Sequence, residues 1–266
     1  MAESLNSRRK QAPSASIRQV APGSITRWLR LGWRDLRQAG WPSLMHGLIV
    51  TALSLVIVEI ALLFWPLLPG AVSGFLVVGP ILATGLYAIS RKQEHGQPSS
   101  MQDVFYAWKC GSRCLLRFGL LLVLGATAWV LISVTLFHFF VDVEIETTLE
   151  FLRYVFQQDD GIFGLWTVLA GLVAAVTFAL TVVSVPMLVE RDVNTPRAFR
   201  TSVRAVAENP VTMTVWALFI FLATLFSVAT FMLGFIVIYP VIGHASWYAY
   251  RDVVNAGQLE PRKPLV

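Results

Sequence analysis

Glu59 is the only carboxylate in the middle of a long apolar run. Placing such a group in a bilayer costs roughly 2.5 to 3.5 kcal/mol, so a functional role is the first reading, with a protonated or water-reaching side chain as the bland one. His138, near the outer end of a later run, is expected at similar depth, which makes a Glu59 to His138 contact the specific expectation. Such a pair is the geometry for acid and base work on a lipid. His244 follows Pro240 and Gly243, and reads either as a packing histidine or as a ligand. Pro80, Pro186 and Pro240 are expected helix breaks, because proline removes a backbone donor, and paired interrupted helices are how several transporters build midplane sites. Cys110 and Cys114 are not spaced as CxxC and have no further Cys or His nearby, so free thiols and no metal site are expected. The acidic residues between Asp142 and Asp160 lack the ligand order of a calcium loop. There is no G-x-S-x-G, H-E-x-x-H, P-loop or G-x-G-x-x-G. No catalytic residue, no cofactor and no enzyme are expected.

The elements that must position these residues follow from composition. The chain has 266 residues, 56% apolar and 14% charged, with mean hydropathy +0.64, far below the charged fraction of a soluble domain. Its apolar residues fall in runs long enough to cross a hydrocarbon core about 30 Å thick. Six spans are expected, at about 44–65, 71–90, 115–140, 162–189, 211–230 and 232–250, with a turn near Thr230 to Gly234. Residues 1–23 read as a disordered cytoplasmic tail, 24–254 as one all-α membrane domain and 255–266 as a second tail.

Twenty of the 21 Lys and Arg residues fall on one side of these spans, and only Arg153 on the other. Membrane potential and anionic inner-leaflet lipid retain basic residues in the cytoplasm, which puts both termini there. The net charge of +5 is explained by this topology signal and by contact with membrane lipids, and nucleic acid is excluded as a partner.

Each pair of spans is preceded by an amphipathic segment. The first has Ser24 as N-cap and apolar Ile25, Trp28, Leu29, Trp33 and Leu36, and is expected to lie flat in the headgroups. The second opens with a Ser100 and Asp103 capping box ahead of Met101, Val104, Phe105 and Trp108. The third has Thr195 as N-cap, then Pro196, with Phe199, Val203 and Val206 on one face. Arg91, Arg191 and Arg251 each close a second span, and the whole reads as a threefold internal repeat of helix, span, span.

The segments Trp28 to Leu36, Val78 to Tyr87 and Pro240 to Asp252 resemble a family of bacterial predicted integral membrane proteins, domain of unknown function 2189. The resemblance implies a bacterial inner-membrane location and brings no activity. Some relatives are labelled cytochrome c oxidase subunits, but haem-copper oxidases need about six histidine ligands and this chain has four histidines in all. The leading expectation is a membrane protein that binds or moves a small molecule, ion or lipid. The alternative is a scaffold or assembly factor recruiting partners through its amphipathic helices.

Overall fold

The computed structural model describes residues 15–67, 70, 79–104, 113–140, 147, 150, 153–154, 161–257 and 259–262, with only the backbone at 65 and 113–116. The described chain is almost entirely helical. A short strand β1 (Ser16–Ile17) leads into α1 (Ser24–Ala39) and α2 (Trp41–Leu63), separated by Gly40 at φ 60. Then come a 3-10 turn (Trp65–Leu67), α3 (Thr84–Glu94) and α4 (Arg113–Phe140). The second half holds α5 (Ile162–Thr181), α6 (Ser184–Glu190), α7 (Thr195–Glu208), α8 (Pro210–Ala229), α9 (Phe235–Val253) and β2 (Val254–Asn255).

Four stretches among the described residues are long and apolar enough to cross a membrane: Trp41–Leu63, Arg117–Phe140, Ile162–Glu190 and Pro210–Ala229. That is fewer than the six expected, for two reasons. The second expected span is described only from Gly79 onward. The sixth is the helix α9, but it carries His244, Ser246 and Arg251 and is buried by protein along most of its length. The turn between α8 and α9 falls at Thr230 to Gly234 as expected, with Phe231 and Met232 in the left-handed region.

The centre of the structure is α9. Its C-terminal half lies along α1 and its N-terminal half along α2, so the amphipathic face of α1 is covered by protein instead of headgroups. Ile25, Trp28 and Leu36 are buried there, while Trp33 is 45% exposed on the opposite side. Backbone contact sets the spacing. A Cβ at Gly32 would stand 2.7 Å from the Val241 carbonyl, and one at Gly47 would strike the carbonyl of Ile236. Ile236 is four residues before Pro240, so its carbonyl is the one that proline leaves without a helical donor. The helix nevertheless runs through Pro240 unbroken, which corrects the expected break.

Helix interruptions lie close to the other two prolines. After Pro80 the helix breaks at Ala83, where the Thr84 hydroxyl donates to the Ile81 carbonyl at 2.9 Å. Pro186 cannot donate to Val182, and the helix breaks at Val182–Val183 between α5 and α6. Ser202 of α7 repairs that break, accepting from Val183 N at 3.2 Å and donating to Ala179 O at 2.7 Å.

Capping differs from expectation at two of three helices. Gly23 and Asn194 are the N-caps of α1 and α7, so Ser24 and Thr195 are first helical residues, and the Asn194 side chain accepts from Arg197 N at 3.1 Å. The packed face of α7 is Ala198, Thr201, Ser202 and Ala205, because these small residues admit α5 and α6, whereas Val203 points outward. The Asp103 carboxylate does accept from Ser100 N at 2.8 Å as a capping box requires; Phe105 and Trp108 lie outside the described residues.

Both expected tails carry structure where they are described. β1 pairs antiparallel with β2, Ser16 opposite Asn255 and Ile17 opposite Val254. Asn209 fixes this clasp to α8, its Oδ1 accepting from Val20 N at 2.7 Å and its amide donating to Arg18 O at 3.1 Å. Beyond β2, Ala256 and Leu259 are buried and Arg262 N donates to Glu190 O at 2.9 Å. The disordered-tail expectation therefore fails for residues 15–23, while 1–14 lie outside the described residues.

Candidate functional site

Where α1, α2, α3 and α9 meet, a line of buried polar side chains replaces apolar core. His244 on α9 has no exposed surface, and both of its ring nitrogens are engaged. Nε2 is 2.8 Å from Ser43 Oγ on α2, and Nδ1 is 2.7 Å from Ser90 Oγ on α3. Ser90 donates in turn to Asp35 Oδ2 on α1 at 2.8 Å. A hydroxyl has one proton to give, so with that proton on Asp35, Ser90 must accept from His244 Nδ1–H. His244 Nε2 is then bare and accepts from Ser43. The direction of all three bonds follows from the carboxylate at one end.

Asp35 is 0% exposed and also accepts from Tyr248 OH at 2.8 Å and from Arg34 Nη2 at 3.1 Å. Arg34 reaches solvent and bonds the Tyr248 hydroxyl at 2.9 Å, so the line begins at the surface of α1 and ends inside α2. Burial pushes the Asp35 carboxyl above the usual carboxylate range, against the opposing bonds from Tyr248, Ser90 and Arg34. One turn further along α2, His46 is buried with Nδ1 2.9 Å from Pro42 O, and Gly85 leaves it the space a Cβ would fill.

A second buried carboxylate closes the adjoining end of the bundle. Glu190, at the end of α6, accepts from Arg251 Nη1 at 2.7 Å, Tyr250 OH at 2.5 Å and Arg191 Nε at 3.1 Å. Arg251 also pairs with Glu94 at 3.0 Å, and Arg91 donates to Val189 O at 3.1 Å. Arg91, Arg191 and Arg251, the three arginines of the expected repeat, thus lie at one place.

The remaining expected site residues lie elsewhere. Glu59 is exposed on the apolar face of α2, and His138 is exposed near the end of α4, its ring set edge-on to Phe139 at 5.3 Å. No hydrogen bond or ion pair joins them. Their depths differ: a pocket of about 140 Å³ between α2 and α4 is lined by Ile57, Ile60, Ala61, Leu67 and Val130, which sets Glu59 near the level of Val130. His138 is two helical turns further out, so the expected contact is not made. The pocket lining is wholly apolar and includes none of the three candidate residues. Among the described residues no cluster of His, Cys, Asp and Glu has metal-binding geometry; the thiols of Cys110 and Cys114 lie outside them.

Of the residues in the buried line, the sequence pointed to His244 alone. Asp35 was legible in principle, because it stands seven residues after Trp28, on the apolar stripe of α1 where a charge is out of place. Ser43 and Ser90 carry no such signal.

Residues 67–190 match a family described as predicted integral membrane protein (DUF2189). The chain resembles that family over this stretch. The stretch covers Pro80, Ser90 and Pro186, while Asp35, Ser43, Glu59 and His244 lie outside it. The resemblance expected from Val78 to Tyr87 is borne out, and with the apolar helices it establishes an integral membrane protein. No curated protein matches the chain, and no solved structure does.

Proposed function

We propose that this membrane protein binds or moves a small ion, and that the ion best suited to its polar line is the proton. The observation that carries the reading is His244, buried and bonded through both nitrogens, in series with Ser43, Ser90 and Asp35. Ser43, Ser90 and His244 can each exchange donor and acceptor roles, and Asp35 can take up and release a proton at the end of the line, which is the property a proton path needs and a binding pocket for a larger solute does not. Ser43 and His244 also stand as nucleophile and base would, but both are buried, so the reading is non-enzymatic.

The proposal includes six crossings in three hairpins with both termini in the cytoplasm of a bacterial inner membrane. It is supported by the one-sided distribution of Lys and Arg and by the length of α9, 19 residues, which at about 1.5 Å per residue nearly matches the hydrocarbon core. The gathering of Arg91, Arg191 and Arg251 beside Glu190 supports the internal repeat.

The test is proton flux into vesicles containing the purified protein, driven by a potassium diffusion potential and read with an internal pH dye. Flux well above protein-free vesicles is expected, falling about tenfold or more in Ser90→Ala and His244→Leu, since each breaks the series at one atom. Equal flux in wild type and protein-free vesicles overturns the reading. The scaffold alternative is favoured by a different observation, the exposed Arg30, Trp33 and Arg37 on the free side of α1. Under it, Arg30→Gln with Arg37→Gln abolishes the cellular role while His244→Leu leaves it intact.

A further inference from the structure

One side of α1 is left open by the packing that buries its apolar stripe. Arg30, Trp33 and Arg37 lie on it, spaced three and four apart and so on one helix face, and Trp41 follows at the head of α2. Trp33 is 45% exposed and Trp41 61%. Of the four arginines of α1, Arg27 pairs with Asp252 and Arg34 with Asp35. Among the described residues no carboxylate pairs with Arg30 or Arg37. Asp35, the one acidic residue of α1, is buried, so the open side carries positive charge alone. Two connections fix the depth of this helix. Gly40 alone separates it from α2, so Arg37 stands at most about 14 Å of chain from the first residue of a span. Trp28 packs edge-on against Trp216 with ring centroids 5.7 Å apart, and Trp216 lies only about 9 Å along the span Pro210–Ala229. α1 is thus held beside the near ends of two spans, at the depth where hydrocarbon gives way to headgroups.

We propose that Arg30, Trp33, Arg37 and Trp41 bind the headgroups of anionic phospholipids in the bilayer that α2 crosses. A phosphodiester accepts two parallel bonds from a guanidinium, and an indole settles at the headgroup level with its ring toward the acyl chains. A zwitterionic headgroup brings its own cation, whereas an anionic one leaves its charge for the arginine, so the surface selects the anionic class. The leaflet it meets, cytoplasmic under the proposed orientation, is the one rich in such lipid. Charge decides against the undescribed segments of the chain as the cover. Residues 1–14 carry Arg8, Arg9 and Lys10 against Glu3, those between Leu67 and Gly79 carry no charge, and 105–112 carry Lys109 alone. α4 starts in the core cluster that holds Trp28 and ends at Phe140, where α5 begins beside it, so the carboxylates between Asp142 and Asp160 are joined to the ends away from α1. Lipid thereby takes the face that the scaffold reading gives to a protein, whether or not protons move along the buried line.

The experiment measures binding of fluorescent phosphatidylglycerol and phosphatidylcholine to the purified full chain in mixed micelles. Wild type is expected to prefer phosphatidylglycerol by about 25-fold, fivefold for each arginine, with the preference falling as salt is raised. Arg30→Gln with Arg37→Gln binds the two lipids alike and keeps its melting temperature in lipid-free detergent, since neither side chain has a carboxylate partner among the described residues. Arg30→Lys with Arg37→Lys retains most of the preference. Arg200→Gln with Arg204→Gln, which removes the same charge from the exposed side of α7, leaves it unchanged. Equal binding of the two lipids by wild type, a preference untouched by the α1 Gln pair, or an equal loss in the α7 pair overturns the proposal. Equal lipid binding together with capture of a soluble protein that the α1 Gln pair abolishes gives the face to the scaffold reading instead.

Discussion

At the scale of single residues, Asp35 governs the polar line because it is the only group in it that fixes the direction of the bonds. Removing it as Asp35→Ala leaves Ser90 and Tyr248 buried with one partner fewer, a loss of about 2 kcal/mol to be read as a lower melting temperature in detergent. Its pH dependence is separate. Burial raises the carboxyl above its ordinary value of 3.8, so the folded state holds the proton more tightly than the unfolded one. The stability due to this shift is complete below pH 3.8 and is lost as pH rises through the raised value. Asp35→Asn cannot ionise and has no such loss. Wild type should therefore lose ground to the Asn variant as pH is raised from about 4, and a difference constant with pH would contradict the assignment.

At the scale of elements, helix positions were legible because apolar run length and proline placement act locally, whereas which face of each helix is covered depends on its neighbours. The sequence places the α8 to α9 turn at Thr230 to Gly234, where the structure has it. It does not reveal that α9, the least apolar of the long helices after α1 and α7, is the one most enclosed by protein. A polar helix at the centre of a membrane bundle is tolerated because its partners are polar in register, and register is a tertiary property. The glycines make this testable. Gly47→Val forces a branched side chain onto the Ile236 carbonyl and should cost about 3 kcal/mol or more, seen as loss of folded protein. Gly125→Ala, on an open face of α4, should be neutral or stabilising by up to about 1 kcal/mol.

At the scale of the molecule, the buried Glu190 joins α6, α9 and the segment after β2. Glu190→Ala removes one partner each from Arg251, Arg191 and Tyr250, with Arg251 keeping Glu94 and Arg191 the Leu259 carbonyl, and should cost about 3 kcal/mol, whereas added salt should change the melting temperature little, because Glu190 is shielded from solvent. Neither Glu190 nor the clasp of β1 on β2 was legible, since both join residues far apart in the chain and leave no local pattern. That clasp has a consequence for biosynthesis. Ser16 is made long before Asn255, and α1 and α2 long before α9, so the bundle stays open at its centre until α9 has been made. Any nascent chain interrupted before α9 presents Asp35, Ser43 and Ser90 without their histidine, leaving polar groups unsatisfied that the finished protein buries in bonds.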